Sequence, residues 1–173
     1  MSINYSLKLS SFNTPLGKMV AVASEDFLYL LDFTNRKGLN GACDKLKKIG
    51  PIENGGNKII DLIEKELDLY FTSKLKQFKT PVYLNGTDFQ ELSWQSLQQI
   101  PYGETMSYLN QAKLTGNSKA FRAVANANAA NHLSIIVPCH RVINSNGSLG
   151  GYGGGIDRKE WLINHEKNYE KQS

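Results

Sequence analysis

Cysteine is scarce in this chain: 173 residues hold only Cys43 and Cys139. Two distant thiols make no disulfide framework, so a reducing, cytoplasmic setting is expected. Neither thiol has a Cys-x-x-Cys partner, and His132, His140 and His165 form no His-x-x-x-His pair. Zinc sites ordinarily show such close pairs, so no metal is expected. Apolar runs of membrane-spanning length are missing, and residues 1–5 have neither the basic start nor the apolar core of a signal peptide. No membrane partner is therefore expected. The glycine-rich run at 150–155 does not fit Gly-x-Gly-x-x-Gly in any register, so no phosphate cradle is read there. Charge of one sign is also modest. The net charge is +4, and residues 1–100 carry twelve basic against eleven acidic side chains. The bias lies further on, where residues 102–141 hold Lys113, Lys119, Arg122 and Arg141 against Glu104 alone. That distribution permits a nucleic-acid partner without requiring one.

What is present centres on residues 134–143. Ile135, Ile136 and Val137 read as a short buried strand, and Pro138 ends it because proline cannot donate a ladder hydrogen bond. A thiol, an imidazole and a guanidinium follow directly: Cys139, His140 and Arg141. Keeping reactive groups between two apolar segments is costly unless they act. The nucleophile would be the thiolate, favoured by nearby positive charge or a base. If the chain is extended here, His140 points away from Cys139, and a water between them would carry the proton. Glu166 is a candidate to orient the histidine. The residues alone leave a second reading open, a buried inert cysteine beside a structural histidine.

In chain order, residues 5–33 read as strands, with turns at Thr14–Gly17 and Ser24–Asp26. Residues 34–41 read as a loop and 42–49 as a short helix. Ile59, Ile60, Ile63, Leu67, Tyr70 and Phe71 fall at helical spacing and predict an amphipathic helix on the sheet. The carboxylates of this half are expected in solvent, and Cys43 is read as a filler. Residues 81–84 suit one more strand, and Asn85-Gly86 marks a domain boundary. Thr87 and Gln90 form a capping-box pattern before a helix with Phe89, Leu92, Leu97 and Ile100 inward. Residues 107–129 read as a helix-turn-helix or an ordinary helical hairpin. Ser107 caps the first helix, Gly116-Asn117 turns, and Ser118 caps a second, alanine-rich helix from Lys119. Asn144–Gly147 predicts a hairpin turn. Asp157 and Glu160 suggest another capping box, opening a helix that ends near Glu166 before a frayed tail.

The run Pro138-Cys-His-Arg-Val142 resembles the active-site signature of the O6-alkylguanine-DNA alkyltransferases, the methylated-DNA–protein-cysteine methyltransferases. Gly103–Tyr108, Gly116–Val124, Asn131, Lys159–Leu162 and His165-Glu166 stand in that family's order and spacing, so the resemblance is close over about residues 88–166 and looser before. It implies a mixed α/β (α+β) protein, with a small RNase-H-like domain over 1–85 and a winged-helix domain over 86–173. It implies DNA repair by single-turnover alkyl transfer from O6-alkylguanine, with O4-alkylthymine a further possibility, to Cys139. Base flipping is required because the alkyl group lies inside the stack. His140 would be the base through a water, Glu166 its orienting acid, Asn131 the residue positioning the turn, and Tyr108 the proton donor to the leaving base. Arg122 would fill the gap in the stack. Lys119, Ala120, Phe121 and Arg141 would face DNA, Arg141 equally suiting a structural pair with a C-terminal carboxylate. Val142, Tyr152 and Gly153 would line the base pocket. No cofactor is implied, and the partner is double-stranded DNA, met by a monomer. Phe121 stands where the family usually has alanine, and reads as a wedge or as a clash. Gly153 stands where some relatives carry a serine that contacts the base. The N-terminal zinc ligands of some relatives are missing.

Overall fold

The structure, a computed structural model, describes residues 5–171. They divide into two compact units meeting between Tyr83 and Leu84.

The first unit is built on a four-stranded sheet in the order β3-β2-β1-β4. Strands β1 (Leu7–Thr14), β2 (Gly17–Ala23) and β3 (Leu28–Phe33) form an antiparallel meander, and β4 (Ile52–Asn54) joins β1 in parallel. The tight turn after β1 relies on Gly17, whose φ of 120° favours glycine. Every residue from Met19 to Ala23 is buried, so both faces of β2 are covered. Val20 and Val22 pack with Leu7, Tyr29, Leu30 and Leu46, the last from helix α1 (Leu39–Leu46). Helix α2 (Lys58–Phe71) lies against β1 and β2, burying Ile59, Ile60, Ile63, Leu67 and Tyr70. Asn57 begins it: Oδ1 accepts from the amides of Ile59 and Ile60 at 3.1 and 3.0 Å.

The second unit holds α3 (Asp88–Leu97), β5 (Met106–Ser107), α4 (Tyr108–Leu114), α5 (Phe121–Ala129), a 3-10 turn at Cys139–Arg141, β6 (Val142–Ile143) and α6 (Ile156–Lys171). Strands β5 and β6 pair in parallel. Helices α4 and α5 form the helix-turn-helix, with Gly116 at φ 87° in the turn. Buried polar groups fix their angle. Gln111 and Asn128 exchange reciprocal amide hydrogen bonds at 2.9 and 2.7 Å, and Trp94 Nε1 donates to the Ala127 carbonyl at 2.8 Å. Such fully paired buried networks specify one packing over its competitors.

The mixed α/β class, the three N-terminal strands, α2 and the Thr87–Gln90 capping box agree with the sequence reading. Other details differ. Residues 135–137 are a buried turn and not a strand, because a short apolar run signals burial rather than backbone shape. Helix α1 begins within the expected loop, and β4 follows directly on Gly50-Pro51. Residues 81–84 contribute only a single bridge, Val82 to Leu28. Leu92 is exposed, and Trp94 is buried on α3 beside the expected Leu97. Ser118 caps nothing: Asn117 Oδ1 accepts from the Lys119 amide at 3.0 Å, and α5 opens only at Phe121. The turn at Asn144 leads into no second strand, and Asp157 lies inside the first turn of α6, which continues to Lys171 instead of fraying. Two carboxylates of the first unit are buried, not solvated. Asp32 pairs with Arg36 at 2.7 Å, and Glu66 accepts from Thr80 Oγ1 and the Lys79 amide at 2.6 and 2.7 Å.

Candidate active site

The Cys139 thiol is held by a strained, clamped turn. Ile135 sits at φ 73°, a left-handed conformation that a β-branched side chain rarely adopts. Asn131 holds the turn at both ends. Its Oδ1 accepts from the Leu133 amide at 2.9 Å, and its Nδ2 donates to the Val137 carbonyl at 2.9 Å and to Cys139 Sγ at 3.3 Å. Strain of this kind persists only where the surroundings over-determine it. After Pro138 the chain does not extend but coils into the 3-10 turn that carries Cys139, His140 and Arg141 together.

Behind the thiol is a buried charge cluster. His140 Nε2 meets Glu166 Oε1 at 2.7 Å, with both side chains out of solvent. Glu166 also accepts from Arg141 Nε at 2.8 Å and Nη2 at 3.1 Å, and from the Gly103 amide at 3.3 Å. Burial pushes the Glu166 carboxyl up, but the hydrogen bonds donated by His140 and Arg141 and the charge of the Arg141 guanidinium outweigh it and hold the group well below the usual carboxylate range. Burial lowers the His140 pKa, partly opposed by Glu166, so the imidazole is neutral near pH 7. Its Nδ1 makes no hydrogen bond among the described residues. A neutral imidazole oriented through one nitrogen, with the other unspent, is the form a general base takes.

On the open side, a cavity of about 280 Å³ is lined by Cys139, Tyr108, Ala125, Asn128, Tyr152 and Gly153, among others. Burial raises the Tyr108 pKa, and Cys139 adds to the shift, so its phenol keeps its proton at neutral pH. Lys159, on α6, is fully buried. Its Nζ donates to the carbonyls of Val142 at 2.6 Å and Gly151 at 3.0 Å, and lies 5.7 Å from the Tyr108 ring centroid. Burial brings its pKa down to about 8. It ties the glycine loop to β6 and adds a cation near the thiol.

The structure thus brings Cys139, Tyr108, Tyr152 and Gly153 to one cavity, with Asn131, His140 and Glu166 behind it. Arg122, Phe121 and Tyr108 share a neighbouring cavity of about 490 Å³. Lys119 is exposed and Ala120 half-buried just before α5. Of the two roles expected for Arg141 the structure shows the pair with a C-terminal carboxylate: it is buried, and its guanidinium is spent on Glu166 and on the Ile100 carbonyl at 2.8 Å. The Val142 side chain is fully buried, and its carbonyl accepts from Lys159 Nζ. Lys159 had been read only as part of a motif, since a lysine on a terminal helix ordinarily reads as solvated. Its burial depends on carbonyls eight and seventeen residues away.

A thiol at the wall of a cavity flanked by the second helix of a helix-turn-helix, with a histidine–carboxylate pair behind it, is the arrangement of a protein with a cysteine nucleophile on a helix-turn-helix scaffold. Comparison with known proteins places the chain within that class. The family model "6-O-methylguanine DNA methyltransferase, DNA binding domain" matches residues 88–168. A methylated-DNA–protein-cysteine methyltransferase of Methanosarcina acetivorans is 39% identical over 155 residues, covering 90% of this chain and 95% of its own. The crystal structure of Mycobacterium tuberculosis O6-methylguanine methyltransferase superposes with a TM-score of 0.81 at 35% identity, over 94% of each chain. A Mycobacterium tuberculosis OGT structure in complex with DNA also scores 0.81 at 35% identity, over 95% of this chain and 94% of that one. The chain belongs to the methylated-DNA–protein-cysteine methyltransferase family.

Proposed function

We propose that this protein repairs double-stranded DNA by moving the alkyl group of an extruded O6-alkylguanine onto Cys139, as a cytoplasmic monomer and once per molecule. The thiol proton passes through a water to His140, which Glu166 orients and compensates. The thiolate attacks the alkyl carbon in line, a carbon–sulfur bond forms, and the carbon–O6 bond breaks with its electron pair left on the guanine. Tyr108 donates a proton to the departing base. The product is a thioether, which ordinary hydrolysis does not reverse, so the protein is consumed. Asn131 Nδ2, already on Cys139 Sγ, supports the developing thiolate. Exposed Lys113 and Lys119 supply sequence-independent contacts to the phosphate backbone, and exposed Arg122 stands in for the extruded base.

The observation that carries this reading is Cys139 on the wall of an open cavity, with the neutral, carboxylate-held imidazole of His140 in the same 3-10 turn. The test is intact mass after incubation with a short duplex holding one O6-methylguanine. The wild type gains the mass of one methylene, once, and Cys139→Ala gains none. A wild type that binds the lesion duplex but stays unmodified leaves only a binding protein.

A further inference from the structure

We propose that Phe121 is an aromatic wedge which, paired with Arg122, holds open the base step beside the extruded base and so controls how fast a lesion within a duplex reaches Cys139. The inference rests on the alkyl-transfer reading of the site and adds a rate-setting residue to it.

Phe121 is the first residue of α5 and is 44% exposed. Its ring lies 5.8 Å from the Arg122 guanidinium, so the two side chains project as one stacked pair. They are the long side chains on an otherwise short-chained exposed face, whose other members are Ala123, Asn126 and Ala129. Both line the 490 Å³ cavity with Tyr108 and half-exposed Leu109. That cavity shares Tyr108, Ala125 and Gly151 with the Cys139 cavity, so the pair stands at the mouth of the reactive pocket.

The occupant of this mouth is a duplex. Between Glu104 and Asp157 the chain has no acidic residue at all, while Lys113, Lys119 and Arg122 are exposed there. A polyanion is drawn to such a surface, and a neutral apolar groove-filler is not. A phenyl ring has no donor or acceptor to read base edges, but it can enter a base step, partly unstack it and hold it bent, as apolar wedges do in minor-groove proteins. Arg122 then fills the space the base has left, and Phe121 stacks on the neighbouring base. The effect is sequence-neutral, as repair of a lesion in any context requires.

The experiment compares single-turnover transfer to the full-length protein from two donors, a duplex with one O6-methylguanine and free O6-benzylguanine base, which needs no extrusion. For Phe121→Ala the ratio of duplex rate to free-base rate falls about tenfold, the scale of one base–aromatic stack. Phe121→Trp restores most of it. An unchanged or raised ratio in Phe121→Ala overturns the wedge, the raised ratio marking Phe121 as an obstruction. A parallel loss with both donors also overturns it, because Phe121 would then act through the pocket. If the wild type accepts an alkyl group from neither donor, the alkyl-transfer reading itself fails, and that outcome is distinct from a wild type active on both with an insensitive ratio.

Discussion

Glu166 compensates two neighbours at once, the imidazole of His140 and the guanidinium of Arg141, at 1% exposure. Removing one partner of a buried charge cluster leaves the other uncompensated, which costs about 3–5 kcal/mol. Glu166→Gln is therefore expected to lower unfolding stability by about that amount, measured by urea denaturation near pH 7, and to slow transfer as His140 loses its orientation. Lys159 makes a pH-dependent prediction. Its pKa falls from the ordinary 10.5 to about 8 on folding. Between those values the unfolded chain holds a proton that the folded one has released, so stability rises with pH across that window. The cost of burying its charge is greatest below pH 8. Lys159→Met is expected to remove this rise, seen as a flatter urea midpoint between about pH 8 and 10.5 than in the wild type. The two residues differ in legibility. Glu166 was identifiable because it follows His165 at a spacing shared with a known family. The importance of Lys159 was hidden because helix position does not reveal which carbonyls a side chain will reach.

At the scale of elements, boundary residues carry consequences that composition conceals. Gly50, just before β4, has no side chain because the Tyr5 carbonyl occupies the space a Cβ would take. Gly50→Ala must displace backbone rather than a flexible side chain, and is expected to cost about 1–3 kcal/mol. The expected result is a lower thermal midpoint for the first unit, with the Cys139 turn intact. The neighbouring Pro51 carbonyl accepts from the Leu7 amide at 2.9 Å and brings β4 alongside β1. Local signals served best where the physics is local. Thr87 and Gln90 satisfy each other's amides within one turn, as the spacing predicted. They failed where a long-range partner decides: the run 135–137 turned instead of pairing, because Asn131 clamps it and no strand is available to receive it.

For the whole molecule, the decisive asymmetry is electrostatic. Lys113, Lys119 and Arg122 lie exposed in a stretch without acids, while Arg141 is withdrawn into the interior. Affinity for an undamaged duplex, followed by fluorescence anisotropy across a salt series, is expected to fall with a log–log slope steepened by about 0.9 for each phosphate neutralised. Substituting Lys113 or Lys119 by alanine should in each case reduce the slope by about that amount, whereas a slope unchanged in Lys119→Ala would remove that residue from the interface. By itself the sequence determined the class of fold and the family, and singled out Cys139 as the candidate nucleophile. Hydrophobic periodicity, caps and a short motif are encoded within a few neighbouring positions and are readable there. Tertiary structure alone decided that Arg141 serves Glu166 and not DNA, that Lys159 is buried under the glycine loop, that Gln111 and Asn128 set the helix-turn-helix, and that Phe121 stands beside Arg122 at the pocket mouth. Burial and pairing belong to the packed chain, because the partner that decides a side chain's charge or role is supplied by an element the local sequence does not name.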